Sequence, residues 1–210
     1  MKKLISVMLI VIFALIVVLN KPQDTYAVKQ DISNKLIRLH VIANSDSEQD
    51  QRLKLKVRDA VIMKMNSKFK GIENVNNSEN LIKENLSEIQ NIAQNVVYEN
   101  GKAYKVKAMY GKFDFPTKYY GTITLPAGNY KALRIIIGNG AGKNWWCVMF
   151  PPLCFVDITH GLSSNETKEE LKKYLSNDEI EMIETNKPKM KFKIAEIFQK
   201  YYDDIRMALK

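Results

Sequence analysis

The stretch Asn144–Asp157, read as N-W-W-C-V-M-F-P-P-L-C-F-V-D, constrains the fold of this chain more than any other. It holds both tryptophans and both cysteines of the protein. Pro151 and Pro152 split it into two apolar runs. Proline lacks an N–H and fixes φ, so neither a helix nor a central strand passes through that pair. The run is too short and too interrupted to span a membrane. Residues of this kind must enter a core or form an adhesive surface, and either role puts the segment at the centre of the fold.

The N-terminus reads as a targeting signal. Met1-Lys2-Lys3 is basic, Leu4–Leu19 is apolar apart from Ser6, and Asn20–Tyr26 is polar. Thr25-Tyr26-Ala27 places small residues at −3 and −1, which predicts cleavage after Ala27. The alternative is an uncleaved anchor, although the sixteen residues of this run reach only about 24 Å as a helix, short of the usual hydrocarbon thickness. Both readings put Val28 onward across a membrane, with Lys2 and Lys3 inside. The expected organisation is a leader or anchor at 1–27, an exported domain at 28–160 and a charged helical tail at 161–210.

Hydrophobic content of 46 % is enough for an ordinary core. The net charge is +9, of which +2 lies in residues 1–27. The surplus suits anionic partners such as lipid headgroups or cell-wall polymers. No basic block with interleaved aromatics and no zinc-finger, RNP or basic-zipper pattern occurs, so nucleic acid is not the expected partner.

Periodicity gives the order of elements. Lys35–Ala43 is short, aliphatic and ended by Asn44-Ser45-Asp46, as a strand would be. Ser47-x-x-Asp50 opens a helix, with Leu53, Val57, Ala60, Val61, Lys64, Met65 and Phe69 near helical spacing and Lys54, Arg58 and Asp59 on the far face. Ser78 is the expected N-cap of a second amphipathic helix through Ile82, Leu86, Ile89, Ala93, Val96 and Val97. Strands are expected at Lys102–Tyr110, Tyr119–Leu125, Leu133–Ile137 and Trp145–Phe150. Short charged helices follow at Glu166–Leu175 and Asn177–Glu184, with Ser176-x-x-Glu179 as a capping box, and an amphipathic helix at Phe192–Leu209. The predicted fold is α+β: a mostly antiparallel sheet with two helices on one face, plus a C-terminal helical tail.

The residues offer little catalytic chemistry. Cys147 and Cys154 have six residues between them. Outside the cell a disulfide is one reading, two small buried hydrophobes the other. A Cys–His nucleophile would require His40, in an apolar strand, or His160, in a polar loop, and no local signature supports it. Two histidines and two unclustered cysteines make a poor zinc site. Asp46, Glu48 and Asp50 fail the EF-hand pattern, since the sixth and twelfth positions are Gln51 and Val57. Gly138-x-Gly-x-Gly lacks phosphate-loop spacing and reads as a turn. No catalytic residue, metal or cofactor is expected.

Two long motifs carry a family resemblance. Ile37–Asp59 (I-R-L-H-V-I-A-N-S-D-S-E-Q-D-Q-R-L-K-L-K-V-R-D) and Asn129–Asp157 (N-Y-K-A-L-R-I-I-I-G-N-G-A-G-K-N-W-W-C-V-M-F-P-P-L-C-F-V-D) closely resemble stage II sporulation protein R of endospore-forming Firmicutes. The similarity covers roughly Leu36–Asp157. It implies a protein made in the forespore and exported into the space between the two sporulation membranes. There it would trigger a membrane-embedded aspartic protease, which removes the pro-sequence of sigma-E in the mother cell. It implies an activator, not an enzyme.

An activator binds one state of its receptor better than another, through aromatic anchors and a few polar contacts. Trp145, Trp146 and Phe150 form one candidate patch, with core packing as the plain alternative. Asn44, Asp46 and Asp50 form a second, with a turn and helix cap as the alternative. Two other functions stay open: an exported hydrolase of cell wall or peptide using a cysteine with a histidine, and a structural module at the wall or membrane surface.

Overall fold

The computed structural model describes residues 23–69, 71–154 and 164–184. The basic and apolar parts of the leader, His160 and the Phe192–Leu209 segment lie outside the described residues. Six helices and six strands are described: α1 (Gln23–Lys35), β1 (Ile37–Ile42), α2 (Glu48–Phe69), α3 (Val75–Glu84), α4 (Leu86–Glu99), β2 (Val106–Phe115), β3 (Lys118–Tyr120), β4 (Ile123–Leu125), β5 (Gly128–Ile137), β6 (Asn144–Phe150), α5 (Ser164–Lys172) and α6 (Asn177–Ile183). Helix α1 continues across the Ala27–Val28 bond, where only a polar leader end was expected.

The main sheet has the order β2-β5-β1-β6, and β3 and β4 form a separate hairpin. β1 runs parallel to β5 and antiparallel to β6, while β2 and β5 are antiparallel over ten residue pairs. The sheet is therefore mixed but mostly antiparallel, and the α+β class holds. Parallel partners need a long crossover, which here contains α2, α3, α4, β2 and the hairpin.

β1 is the central ribbon. Five of its six residues are buried, as expected of a strand covered on both faces. Ile37, Leu39 and Val41 point into a core shared with Leu53, Val57, Val61, Ile62, Met65, Ile82, Ile89, Ala93 and Val97 of the helices and Leu133, Ile135 and Ile137 of β5. The helical spacing thus predicted the right face, with two exchanges. Lys64 is exposed and Ile62 takes the inward place. Lys54, assigned to the solvated face, is buried, its Nζ donating to Gln51 Oε1 at 2.6 Å and to the Lys143 carbonyl at 3.0 Å.

Several elements differ from expectation: β2 runs Val106–Phe115 instead of Lys102–Tyr110, and β5 starts at Gly128 instead of Leu133. The predicted second helix is two, broken at Asn85, and its N-cap is Asn74, whose side chain accepts from Asn77 N; Ser78 lies inside the first turn, its hydroxyl donating to the Asn74 carbonyl. Tyr119–Leu125 is a hairpin, not one strand, because the chain reverses at Gly121, where φ is +60°. The second face of the sheet is also covered. Ile32 and Leu36, at and beyond the end of α1, Ile123 and Leu125 of β4, and Leu171, Leu175, Ile180 and Ile183 of the charged segment build a second core with Phe115, Tyr130, Ala132 and Val148. The Ser176–Glu179 capping box forms, and Glu179 also accepts from Lys35 Nζ at 2.8 Å, tying α6 to α1.

Candidate functional site: the β6 groove

β6 begins where two loops are stitched together. The turn after β1 sends Asp46 Oδ1 to the N–H of Lys143 at 2.6 Å and Asn44 Oδ1 to the N–H of Asn139 at 3.0 Å. The N–H of Gly142 donates to the Ala43 carbonyl at 3.0 Å. A Cβ on Gly142 would run into the Ser45 carbonyl, and one on Gly138 (φ +56°) into the Asn44 side chain, so this loop admits only glycine at both places. Asp50 closes the joint from α2, its Oδ2 accepting from Asn44 Nδ2 at 2.8 Å and Ser45 Oγ at 2.6 Å. Burial alone would raise the Asp50 carboxyl, but these two donors hold it below the usual carboxylate range.

The polar triad is thus brought together, as an internal clamp. Asp50 is 3 % exposed and faces no partner; Asp46 is exposed, with one oxygen committed to the loop.

The two tryptophans leave β6 on opposite faces, as strand alternation requires, and both are half-buried. Trp145 packs on the aliphatic core, with the Arg58 guanidinium 4.1 Å from its ring. Trp146 lies on the other face, stacked on His40 at 3.8 Å and edge-on to Phe115 at 4.7 Å, with Lys118 Nζ 5.6 Å above it. Phe150 is a core residue, 1 % exposed and edge-on to Tyr174, and presents nothing to a partner.

Cys147 and Cys154 are joined as a disulfide, their Cα atoms 5.9 Å apart, which closes the Pro151-Pro152 corner. Neither sulfur is a thiolate, so the Cys–His nucleophile has no nucleophile in this state. His40 is no free base either. Arg134 Nε donates to its Nδ1 at 3.1 Å, leaving Nε2–H to face Asn144 Oδ1 at 3.0 Å. Burial, reinforced by Arg134 and Arg38 against the hydrogen bond to Asn144, pushes the imidazole down to about 4. Among the described residues no three His, Cys, Asp or Glu side chains converge as a metal would require.

Sequence reasoning passed over Arg38. It is fully buried, with rings of Phe115, Tyr130 and Tyr120 at 4.6, 5.1 and 5.7 Å. Its Nε donates to the Cys147 carbonyl at 2.9 Å and its Nη2 to Tyr120 Oη at 2.7 Å, while Nη1 has no hydrogen-bond partner among the described residues. Burial lowers its affinity for the proton, opposed by Tyr120 and Tyr130. The signal was present: in I-R-L-H-V, period two puts Arg38 and His40 on one face and three aliphatics on the other.

Beside β6 lies a groove of about 420 Å³, walled by Lys118–Gly121 of the hairpin on one side and Asn144–Val148 on the other, with Leu153 and Thr167 at its margin. Tyr119 stands at its lip, 71 % exposed. Among the described residues the site is aromatic, cationic and concave.

The model of the stage II sporulation protein R family matches residues 33–160, more than half of the chain. The chain belongs to that family. It is 43 % identical over 144 residues to stage II sporulation protein R of Bacillus subtilis (strain 168), covering 68 % of this chain and 64 % of that protein. The chain thus spans less than two thirds of the relative's length. No solved structure matches it. The β1 turn, the glycine loop and the whole of β6 fall inside the matched region, so the groove's β6 wall belongs to the part shared with the stage II sporulation protein R family.

Proposed function

We propose that this sporulation protein is an exported signal that activates a membrane-embedded aspartic protease, which then processes pro-sigma-E in the mother cell. The observation that carries the reading is the β6 groove: half-buried aromatics and cations with no described carboxylate partner within the family-matched region, beside a histidine and cysteines that are chemically occupied. Such a surface fits a ligand that shifts a receptor between states by differential affinity. The Cys147–Cys154 disulfide supports export, since structural disulfides persist in oxidising compartments. Among the described residues no helix is long and apolar enough to cross a membrane.

The test is pro-sigma-E processing in cells that hold the protease, with and without export of this protein. Processing that depends on export is the expected result. Absence of processing, with export and folding verified, sinks the reading and returns the hydrolase and the wall-binding module.

A further inference from the structure

The two edges of the main sheet are finished differently. Along β2, the N–H groups of Val106 and Ala108 donate to Gln94 Oε1 at 2.9 Å and Gln90 Oε1 at 3.0 Å, and Gln94 Nε2 donates to the Tyr104 carbonyl at 2.8 Å. Glutamines of α4 stand where another strand would, and exposed Lys107 and Lys112 guard the rest. β6 is the opposite edge. No described side chain accepts from the N–H groups of Asn144 to Val148, and the groove lies along them; of the carbonyls, that of Trp146 accepts from Tyr120 Oη at 3.2 Å and that of Cys147 from Arg38 Nε at 2.9 Å, so the edge offers its N–H groups and the remaining carbonyls.

Five consecutive residues of β6 line that one groove. Successive side chains of a strand point to opposite faces, so a cavity meeting five in a row meets the strand along its backbone edge. At about 3.3 Å per residue the run offers some 17 Å of main chain. No described carboxylate lines the groove. Lys118 sits on its wall and exposed Lys143 at its end, neither ion-paired to a described carboxylate. Arg38 lies behind its floor, bonded to the Cys147 carbonyl, with no carboxylate to neutralise it among the described residues.

The geometry points to strand addition: an extended, acidic segment of the activated protease pairs with the main-chain edge of β6, its carboxylates toward Lys118 and Lys143 and an apolar side chain against Trp146 and Tyr119. Main-chain bonds supply affinity and the flanking pockets supply choice, as in other edge-strand complexes. This rests on the activator reading above and names the surface it uses.

The test uses the full chain, exported in cells that hold the protease. A photoreactive residue replaces Tyr119, or, as controls on the helical face, Met63 or Tyr98, which are 73 % and 59 % exposed. The expected outcome is an adduct with the protease from position 119 alone, mapping to an acidic segment. A synthetic peptide of that segment should slow amide exchange at Trp145–Val148 by about tenfold or more. Lys118→Glu should cut processing by about tenfold, as a reversed charge facing an acidic strand would. Adducts from Met63 or Tyr98, or full processing by Lys118→Glu, overturn the edge proposal while leaving the activator standing. Concentration-dependent protection of β6 without any partner assigns the edge to a second copy and overturns it too. Loss of processing with the unmodified chain defeats the activator reading itself.

Discussion

The two faces of the sheet are built from different chemistry. One is aliphatic: Leu39, Val41, Leu133 and Ile135 meet Val57, Val61, Ile89 and Val97 of the helices. The other is aromatic and polar, with Arg38 and His40 buried among Phe115, Tyr130 and Trp146. The first face needs only volume and close packing. The second needs particular partners, because a buried charge or imidazole is tolerated only where hydrogen bonds and ring faces replace water. The difference teaches that stability and specificity are divided across one sheet, with β1 carrying both along alternate residues. The groove opens on the specific side.

The largest effect should come from the aliphatic face. Leu133→Ala removes a fully buried side chain and should cost about 2–5 kcal/mol by denaturant melting. A loss below about 1 kcal/mol would show that this face is not close-packed and would break the contrast.

The second face should answer to pH instead. The His40 imidazole is held down to about 4, against about 6.5 in the unfolded chain. The unfolded state therefore binds more protons between those values. The stabilisation is complete above about pH 6.5 and is lost as pH falls toward 4, by up to about 3 kcal/mol. His40→Gln should flatten that part of the stability–pH curve. A wild-type curve flat from pH 7 to 4 would contradict the assignment.

The Cys147–Cys154 loop offers a smaller test. The bonded cysteines are seven positions apart, so replacing both with serine should cost about 2–3 kcal/mol through loop entropy. Reduction should lower the melting temperature of the parent and leave that of the double variant unchanged.

The smallest stability effect sharpens the comparison most. Arg38 carries a charge without a carboxylate among the described residues, so Arg38→Met, of similar reach, should change stability by less than about 1 kcal/mol or increase it. If processing falls in that well-folded variant, the buried cation serves the groove. A loss of several kcal/mol would instead make Arg38 a structural keystone of the aromatic face.

Much of the first face was legible in the sequence. Leu53, Val57, Val61, Met65 and Phe69 repeat at helical spacing, and their burial follows from that repeat alone. The second face was not. Its helices α5 and α6 are charged and short, and read as a tail because the few apolar residues that dock them, Leu171, Leu175, Ile180 and Ile183, are diluted by lysine and glutamate. The polar cluster Asn44, Asp46 and Asp50 was put forward as a candidate contact patch, but the loop it clamps lies almost a hundred positions later, so the clamp was invisible in a local window.

By itself, the sequence determined the α+β order of elements, the inward stripe of α2 and α4, the capping of α6 and the family to which the chain belongs. Those features are local or carried by contiguous motifs, so neighbours along the chain are enough to specify them. Only the tertiary structure decided that β1 lies between β5 and β6, that glutamines seal β2 while no described side chain accepts from the N–H groups of Asn144 to Val148, and that Trp145 and Trp146 serve different cores. Strand order and edge exposure depend on which distant backbone groups find each other, and hydrogen bonds between segments a hundred residues apart leave no periodic trace in either.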